Sequence, residues 1–308
     1  ATKGWLPVSD DAVAFDHTAP PTQKAIFGYG DNGGFVSMTN LLSSSGVVAS
    51  DVTGVGTARS LLAAASYGGD KAIFGYGENG SGYLSMANLV NNSGVVATDV
   101  TGVGTVRAYL AATTYGTDKA IFGYGWPGGN YSMTNLVSNS GVVSTDVTGV
   151  GTARRALAAA GYGSTGQAIF AYGYAADYTA LSNLVSNSGV VASDTAGVGT
   201  GRRSLAAASY GGDKAIFAYG YTSSKLSMSN LVSNTGVVGS DVTGVGTARS
   251  DLAASSYGAD KAAYAYGTTG SVVSLKNLVN NSGVVAADVT GVGTSRTAPA
   301  AAGYSSTA

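Results

Sequence analysis

The chain has 308 residues, only 11% of them charged, and a formal net charge of −1. Ordinary soluble domains carry about 25% charged residues, and so little basic character leaves no field to hold a nucleic-acid backbone. The absence of cysteine excludes disulfides, thiolate metal sites and cysteine nucleophiles, and no apolar run approaches the roughly 18 residues that span a bilayer.

Residues 1–23 share no pattern with the remainder of the chain. Trp5, Leu6, Val8, Phe15 and His17 make them too apolar for a free tail. They are expected to form an arm that packs on the other residues of the chain or on a second subunit, giving a homo-oligomer. From Lys24 onward the chain repeats. The string KAIFGYG starts at Lys24, Lys71 and Lys119 and returns in altered form at Gln167, Lys214 and Lys261, with spacings of 47, 48, 48, 47 and 47 residues. A second string, DVTGVGTAR, ends at Arg59, and its relatives end at Arg107, Arg154, Arg202, Arg249 and Arg296.

One unit predicts four strands, at 60–67, 71–77, 83–90 and 94–100, separated by links rich in Gly, Asn and Ser. No stretch shows helical periodicity over ten or more residues. Four short strands in each unit of about 47 residues are the mark of propeller blades. The expected fold is therefore all-β, a six-bladed β-propeller of four-stranded blades over residues 24–308. The Ala-rich first strand suits the crowded axis. Gly28, Gly75, Gly123, Ala171, Ala218 and Ala265 mark a place where the next sheet comes close. The first KAIFGYG lacks a preceding Ala-rich strand, and the segment from Arg296 to Tyr304 lacks a following KAIFGYG. The C-terminal strand is thus predicted to close the first blade, with Asp11–Phe15 as a rival for that slot.

Arg59, the Ala63–Ala65 run and Gly75-Tyr76-Gly77 follow the order of a kelch repeat. The chain resembles the kelch family over residues 24–308, with GYG in place of the Gly pair and without the outer-strand Trp. The strings KAIFGYG and TGVGTAR also resemble repeats of bacteriophage virion proteins, tail-associated ones included. That resemblance implies a structural protein of a virion, or of an extracellular or cell-surface assembly, with other such subunits as partners. Neither resemblance supplies a catalytic residue.

Residues that recur in every unit read as structural. Asp51, Asp99, Asp146, Asp194, Asp241 and Asp288 each lie eight positions before one of the repeated arginines. They read as turn-formers, and the arginines as braces between blades, possible bidentate partners of those carboxylates. One Asp and one Thr per loop are too few for calcium, which takes six or more oxygens, so no metal and no cofactor are expected. The repeated Tyr residues read as interblade core. The repeated Asn set, from Asn40 to Asn277, reads as turn or cap chemistry.

Binding is sought where the copies disagree, because loops on a rigid scaffold carry recognition. The link between second and third strands varies most. It offers Trp126, Asn130, Tyr131, Tyr174, Asp177, Tyr178 and Tyr221. Aromatic faces beside polar groups suit a glycan, although ordinary loop drift would also scatter tyrosines here. Just after the repeated arginines, Arg155 and Arg203 make two adjacent blades basic, fit for an anionic sugar or a partner's carboxylate.

The inventory argues against catalysis. His17 is the only histidine and Glu78 the only glutamate. A Ser–His–Asp triad would need the arm to reach the ring. A two-carboxylate glycosidase using residues such as Asp177 and Asp251 is the enzymatic alternative. The leading expectation is a non-enzymatic assembly and glycan-docking module; a secreted or surface lectin is the first alternative and a polysaccharide hydrolase the second.

Overall fold

The computed structural model describes residues 23–308. The arm expected over 1–23, except Gln23, and its rival strand at 11–15 lie outside the described residues.

Among the described residues, eighteen strands form six three-stranded antiparallel sheets. Sheet 1 joins β1 (Lys24–Asp31) and β2 (Phe35–Leu42) to the C-terminal β18 (Ala300–Ser305). Sheet 2 holds β3 (Ala63–Tyr67), β4 (Lys71–Gly75) and β5 (Ala87–Val90). Sheet 3 holds β6 (Ala111–Tyr115), β7 (Lys119–Gly125) and β8 (Tyr131–Val137). Sheet 4 holds β9 (Ala158–Tyr162), β10 (Gln167–Ala171) and β11 (Ser182–Val185). Sheet 5 holds β12 (Ala206–Tyr210), β13 (Lys214–Tyr221) and β14 (Lys225–Val232). Sheet 6 holds β15 (Ala253–Tyr257), β16 (Lys261–Ala265) and β17 (Lys276–Val279).

The Ala-rich strands β3, β6, β9, β12, β15 and β18 neighbour one another in that order, and β18 returns to β3. This cyclic order is consistent with a closed six-bladed propeller. β18 takes the open slot of sheet 1, pairing Ala300, Ala301 and Ala302 with Gly28, Phe27 and Ile26. Gln23 joins the seam, donating its N–H to the Ser305 carbonyl at 2.7 Å.

The expected fourth strand is reduced. In sheet 2 it touches its neighbour at two isolated bridges, Val96 to Val90 and Val100 to Ala87, and the other sheets repeat the pattern. Just before the first of those points the Val95 N–H turns back to the Asn91 side chain, and Val95 is 60% exposed. The segment is spent on side-chain bonds that a continuous ladder would forbid.

Close approach between sheets is visible ring by ring. A Cβ on Gly28 would lie 2.8 Å from the Phe74 ring of sheet 2. Where this position is Gly, the Tyr that follows it stacks on the next sheet's aromatic ring at 5.1, 5.1 and 5.2 Å. Where it is Ala, the corresponding separations are 5.5, 5.4 and 5.6 Å. One methyl group spreads each interface by a few tenths of an ångström. The Tyr itself sits in the left-handed region in all six copies, with φ between 63° and 66°. That strained turn aims its ring into the seam.

The connector TGVGT carries the chain from the outer edge of one sheet to the inner strand of the next. Its second Gly is obligatory on two counts. Gly56 has φ +76°, and the space its Cβ would fill holds the Asp99 carboxylate and the Asn88 amide. Thr57 donates to Asp99 through its N–H at 3.0 Å and its hydroxyl at 2.7 Å. At the ring seam Asp51 grips Thr294 in the same way, at 3.0 and 2.7 Å, across 243 residues.

A further closure lies around the axis at one mouth. The residue two places after each repeated Arg, from Leu61 to Ala298, has φ between 49° and 56°. Tyr109 N–H donates to Leu61, Ala156 to Tyr109, Ser204 to Ala156, Asp251 to Ser204, Ala298 to Asp251 and Leu61 to Ala298, at 2.7–3.2 Å. These six bonds form an unbroken backbone cycle. The opposite mouth opens instead into a cavity of about 490 Å³ among hydroxyls such as Ser66, Thr114 and Ser209.

Two glycines separate strain from clash. Gly128 has φ +69° with nothing near its Cβ position, whereas Gly151 has φ +75° with the Asn183 amide 2.5 Å away. Gly128→Ala is expected to cost about 1 kcal/mol, and Gly151→Ala at least about 2 kcal/mol more. Urea unfolding midpoints check this; equal midpoints for the two variants would rule out the connector clamp.

Candidate functional site

The repeated charges lie inside the ring. Arg59 is fully buried between sheets 1 and 2. Its guanidinium lies 4.3 Å over the Tyr29 ring. Nε donates to the Tyr76 carbonyl at 2.9 Å, and the two terminal nitrogens donate to the Thr57 carbonyl at 3.1 Å and to Asn88 Oδ1 at 2.7 Å. Asn88 in turn donates to Asp99 at 2.9 Å and to the Ala97 carbonyl at 3.0 Å. Related sets surround Arg107, Arg154, Arg202, Arg249 and Arg296, all fully buried and each stacked on a Tyr at 3.9–4.7 Å.

Two expectations are corrected here. The Asp eight residues before an Arg is not its partner: Arg59 faces Asp99, and Asp51 belongs with Thr294 at the seam. The pairs are also not bidentate, since Arg–Asp distances run from 3.5 to 4.0 Å, with the Asn amide bridging between them at Arg59, Arg107 and Arg154. The connector causes both departures, because it delivers the Arg to the following sheet, whose own Asp and Asn receive it. The Asn set therefore serves as a buried hub on the third strand of each sheet, and not as a turn or cap.

The sequence-variable residues meet at the mouth that the backbone cycle closes. Backbone bridges set Ala108 beside Trp126, Arg155 beside Tyr174 and Arg203 beside Tyr221. Arg155 lies 4.3 Å over Trp126 and 5.1 Å from the centre of Tyr174. Arg203 lies 5.5 Å from both Tyr174 and Tyr221 and 6.0 Å from Tyr178. Tyr178 meets Tyr174 and Tyr221 edge-on, at 5.5 and 6.3 Å. The result is a ladder of alternating rings and guanidiniums across sheets 3, 4 and 5.

Polar bonds fix the rungs. Arg155 donates to Asn130 at 3.3 Å, Asn130 donates to the Ala175 carbonyl at 2.9 Å, and the Tyr178 hydroxyl donates to the Thr222 carbonyl at 2.7 Å. Asp177 is exposed and accepts from the Tyr178 N–H at 2.7 Å. Tyr131 lies apart from the ladder: it opens β8 and its carbonyl accepts from Arg154 N–H at 3.2 Å.

On the other half of this mouth, sequence reading singled out Asp251 as a possible glycosidase carboxylate but passed over Asp31 and Glu78. Asp31 and Glu78 occupy the same loop position in sheets 1 and 2, and Asp251 lies in the backbone cycle next to Ala298. Burial, with Asp31 nearby, holds the Glu78 carboxyl above its usual range. Burial also raises the Tyr109 phenol, to which Glu78 and Asp251 add. The signal was present in the sequence. Among the described residues, Asp31, Glu78, Asp177, Asp251, Arg155, Arg203 and Lys225 are charges at places where most other copies carry none. All seven lie at this mouth. One other repeat-breaking charge, Lys276, is buried and donates to the Gly46 carbonyl at 2.7 Å across the seam between sheets 6 and 1. The repeated hairpin charges face the opposite mouth, in pairs such as Lys71–Asp70 at 3.0 Å and Lys214–Asp213 at 2.9 Å.

Apart from the exposed Asp177 on sheet 4, the variable mouth is sectored, with carboxylates on sheets 6, 1 and 2 and guanidiniums with aromatic rings on sheets 3 to 5. Among the described residues Arg155 and Arg203 take part in none of the ion pairs, and no group of three or more His, Cys, Asp or Glu is placed to hold a metal ion. No protein-family model and no curated protein matches the chain.

The buried network carries a pH dependence. Burial alone would raise the six repeated carboxylates, but bonds from Thr and Asn, with the Arg charge, outweigh it and hold all six below the usual range. A depressed folded-state value means stabilisation that is complete above the ordinary carboxylate range and lost as pH falls through the lower folded value. Thermal stability is expected to hold between neutral pH and about pH 5, then to fall below about pH 4. Asp194→Asn is expected to lower Tm at neutral pH, with a deficit that shrinks on acidification. A deficit unchanged down to about pH 2.5 would show that the carboxylate charge contributes nothing.

Proposed function

We propose that this chain is a non-enzymatic recognition and assembly module: a six-bladed propeller of kelch-like repeats, belonging to a virion or to an extracellular or cell-surface assembly. Its working surface is the variable mouth, where Trp126, Arg155, Tyr174, Tyr178, Arg203 and Tyr221 dock a glycan-bearing partner. Other subunits of the same assembly are its protein partners, and residues 1–23 supply a contact between copies.

The observation that carries this reading is the segregation of variation. Where the copies agree, the side chains are consumed in closing the ring. Where they disagree in charge, all but Lys276 lie at one mouth, beside four clustered aromatic rings. A scaffold gains nothing from breaking its repeat on one face only, whereas a binding surface requires it. The virion and surface setting rests on the repeat strings themselves.

One observation favours a hydrolase as the second reading. Glu78 is held above the usual carboxyl range with Asp31 beside it, which is how a general acid is prepared.

A glycan array is the direct test. The intact protein is expected to give saturable binding, weakened about tenfold or more by Trp126→Ala or Tyr178→Ala with the ring still folded by circular dichroism. Failure to bind any glycan would overturn the docking reading, and turnover of a polysaccharide abolished by Glu78→Gln would put the hydrolase in its place.

A further inference from the structure

Arg155 and Arg203 differ from every other arginine of the described ring. The six repeated arginines are enclosed, and each has carbonyl, Asn or Asp acceptors around it. Arg155 and Arg203 stand half-buried at the surface. Among the described residues Arg155 has one side-chain hydrogen bond, to Asn130, and Arg203 has none. Both have aromatic ring centres 4.3 to 5.5 Å from their guanidinium carbons. Stacking of this kind uses the faces of a guanidinium and spares its in-plane N–H edge, which is the edge that takes a carboxylate with two parallel bonds. The rings also fix the side chains in advance, so less freedom is lost when a ligand arrives.

Both guanidinium centres lie within 5.5 Å of the Tyr174 ring centre, so the two charges are at most about 11 Å apart. Two anionic groups on neighbouring units of one linear chain can engage both. The backbone around them is already paired: Trp126 with Ala108, Tyr174 with Arg155 and Tyr221 with Arg203, in both directions. Among the described residues these six have no free backbone edge to capture an extended peptide by β-addition, which leaves recognition there to side chains. The partly exposed rings of Trp126, Tyr178 and Tyr221 offer stacking surface to the flat faces of sugar rings.

Resting on the docking reading above, we infer that the glycan taken by this mouth is acidic: a carboxylate-bearing polysaccharide laid along the Trp126–Arg155–Tyr174–Arg203–Tyr221 ladder. Its carboxylates pair with the edges of Arg155 and Arg203. Asp31, Glu78 and Asp251 repel it from sheets 6, 1 and 2, and Asp177 repels it from the outer loop of sheet 4.

The test is calorimetry of the full chain with oligogalacturonate, alginate, hyaluronan and polysialate, each as free acid and as methyl ester, together with neutral glycans and poly-glutamate. At least one free acid is expected to bind, with its ester about tenfold or more weaker. Arg155→Gln and Arg203→Gln are each expected to weaken the acid by about tenfold and to leave Tm unchanged. Asp31→Asn with Glu78→Gln is expected to tighten it by a few fold through reduced repulsion. Acid and ester binding equally, with both Gln variants silent, would overturn the acidic assignment and leave glycan docking standing. Poly-glutamate binding through the same arginines, with no saccharide bound, would make the partner an acidic protein and overturn the inference. No saccharide and no poly-glutamate bound would bring down the docking reading as well.

Discussion

No sheet in this ring can bury its own faces, so everything rests on how one sheet is fastened to the next. The fastener is a guanidinium enclosed between two sheets, with one sheet's Tyr ring against it and carbonyl and Asn acceptors beside it. A buried charge of this kind is costly unless fully paired. At Arg59, Arg107 and Arg154 the pairing is relayed: Arg to Asn, Asn to Asp, Asp to the N–H and hydroxyl of the connector; at Arg202 and Arg296 a Phe carbonyl takes the place of the Asn. Each relay ties the path of the chain to the packing of the sheets. The Gly of the connector, the left-handed Tyr and the reduced fourth strand all result from making room for it.

The architecture was legible because it is written six times. Repeat spacing gave the number of sheets, and the mismatch between first and last copies gave the closure by β18. The side-chain partners were less legible. Proximity in sequence suggested Asp51 for Arg59, yet the connector moves Arg59 into reach of Asp99. Asn looks like a turn residue in a chain full of turns, and only its place on a central buried face reveals a hub. The fourth strand was overcounted, since Val95, Val96 and Val100 suggest a strand whether or not the backbone is already occupied by Asn91. The backbone cycle was hidden because Leu61, Tyr109, Ala156, Ser204, Asp251 and Ala298 share a dihedral angle and nothing else.

The variable mouth obeys a different logic from the ring beneath it. Trp126, Tyr174 and Tyr221 were recognisable as aromatic departures from the repeat. That Arg155 and Arg203 stand between them depends on bridges joining the start of one strand to the end of another. Asp31 and Glu78 were overlooked because each is ordinary in its own loop. Their meaning lies in the contrast between sectors, which only the closed ring displays. The backbone cycle supplies the firm base: six strained residues locked in mutual hydrogen bonds hold the roots of the loops at fixed spacing.

The seam in sheet 1 also decides how the ring bears a load. β1 and β18 run antiparallel with Lys24 opposite Ser305, so the chain enters and leaves the ring side by side, at the end remote from the variable mouth. Tension transmitted through both exits would peel the two strands apart one bond at a time, whereas a shearing pull would have to break them together. A ring hung from one exit alone carries no such tension across its seam. The weakest direction of pull across the seam therefore lies between the Lys24 and Ser305 ends of its two strands.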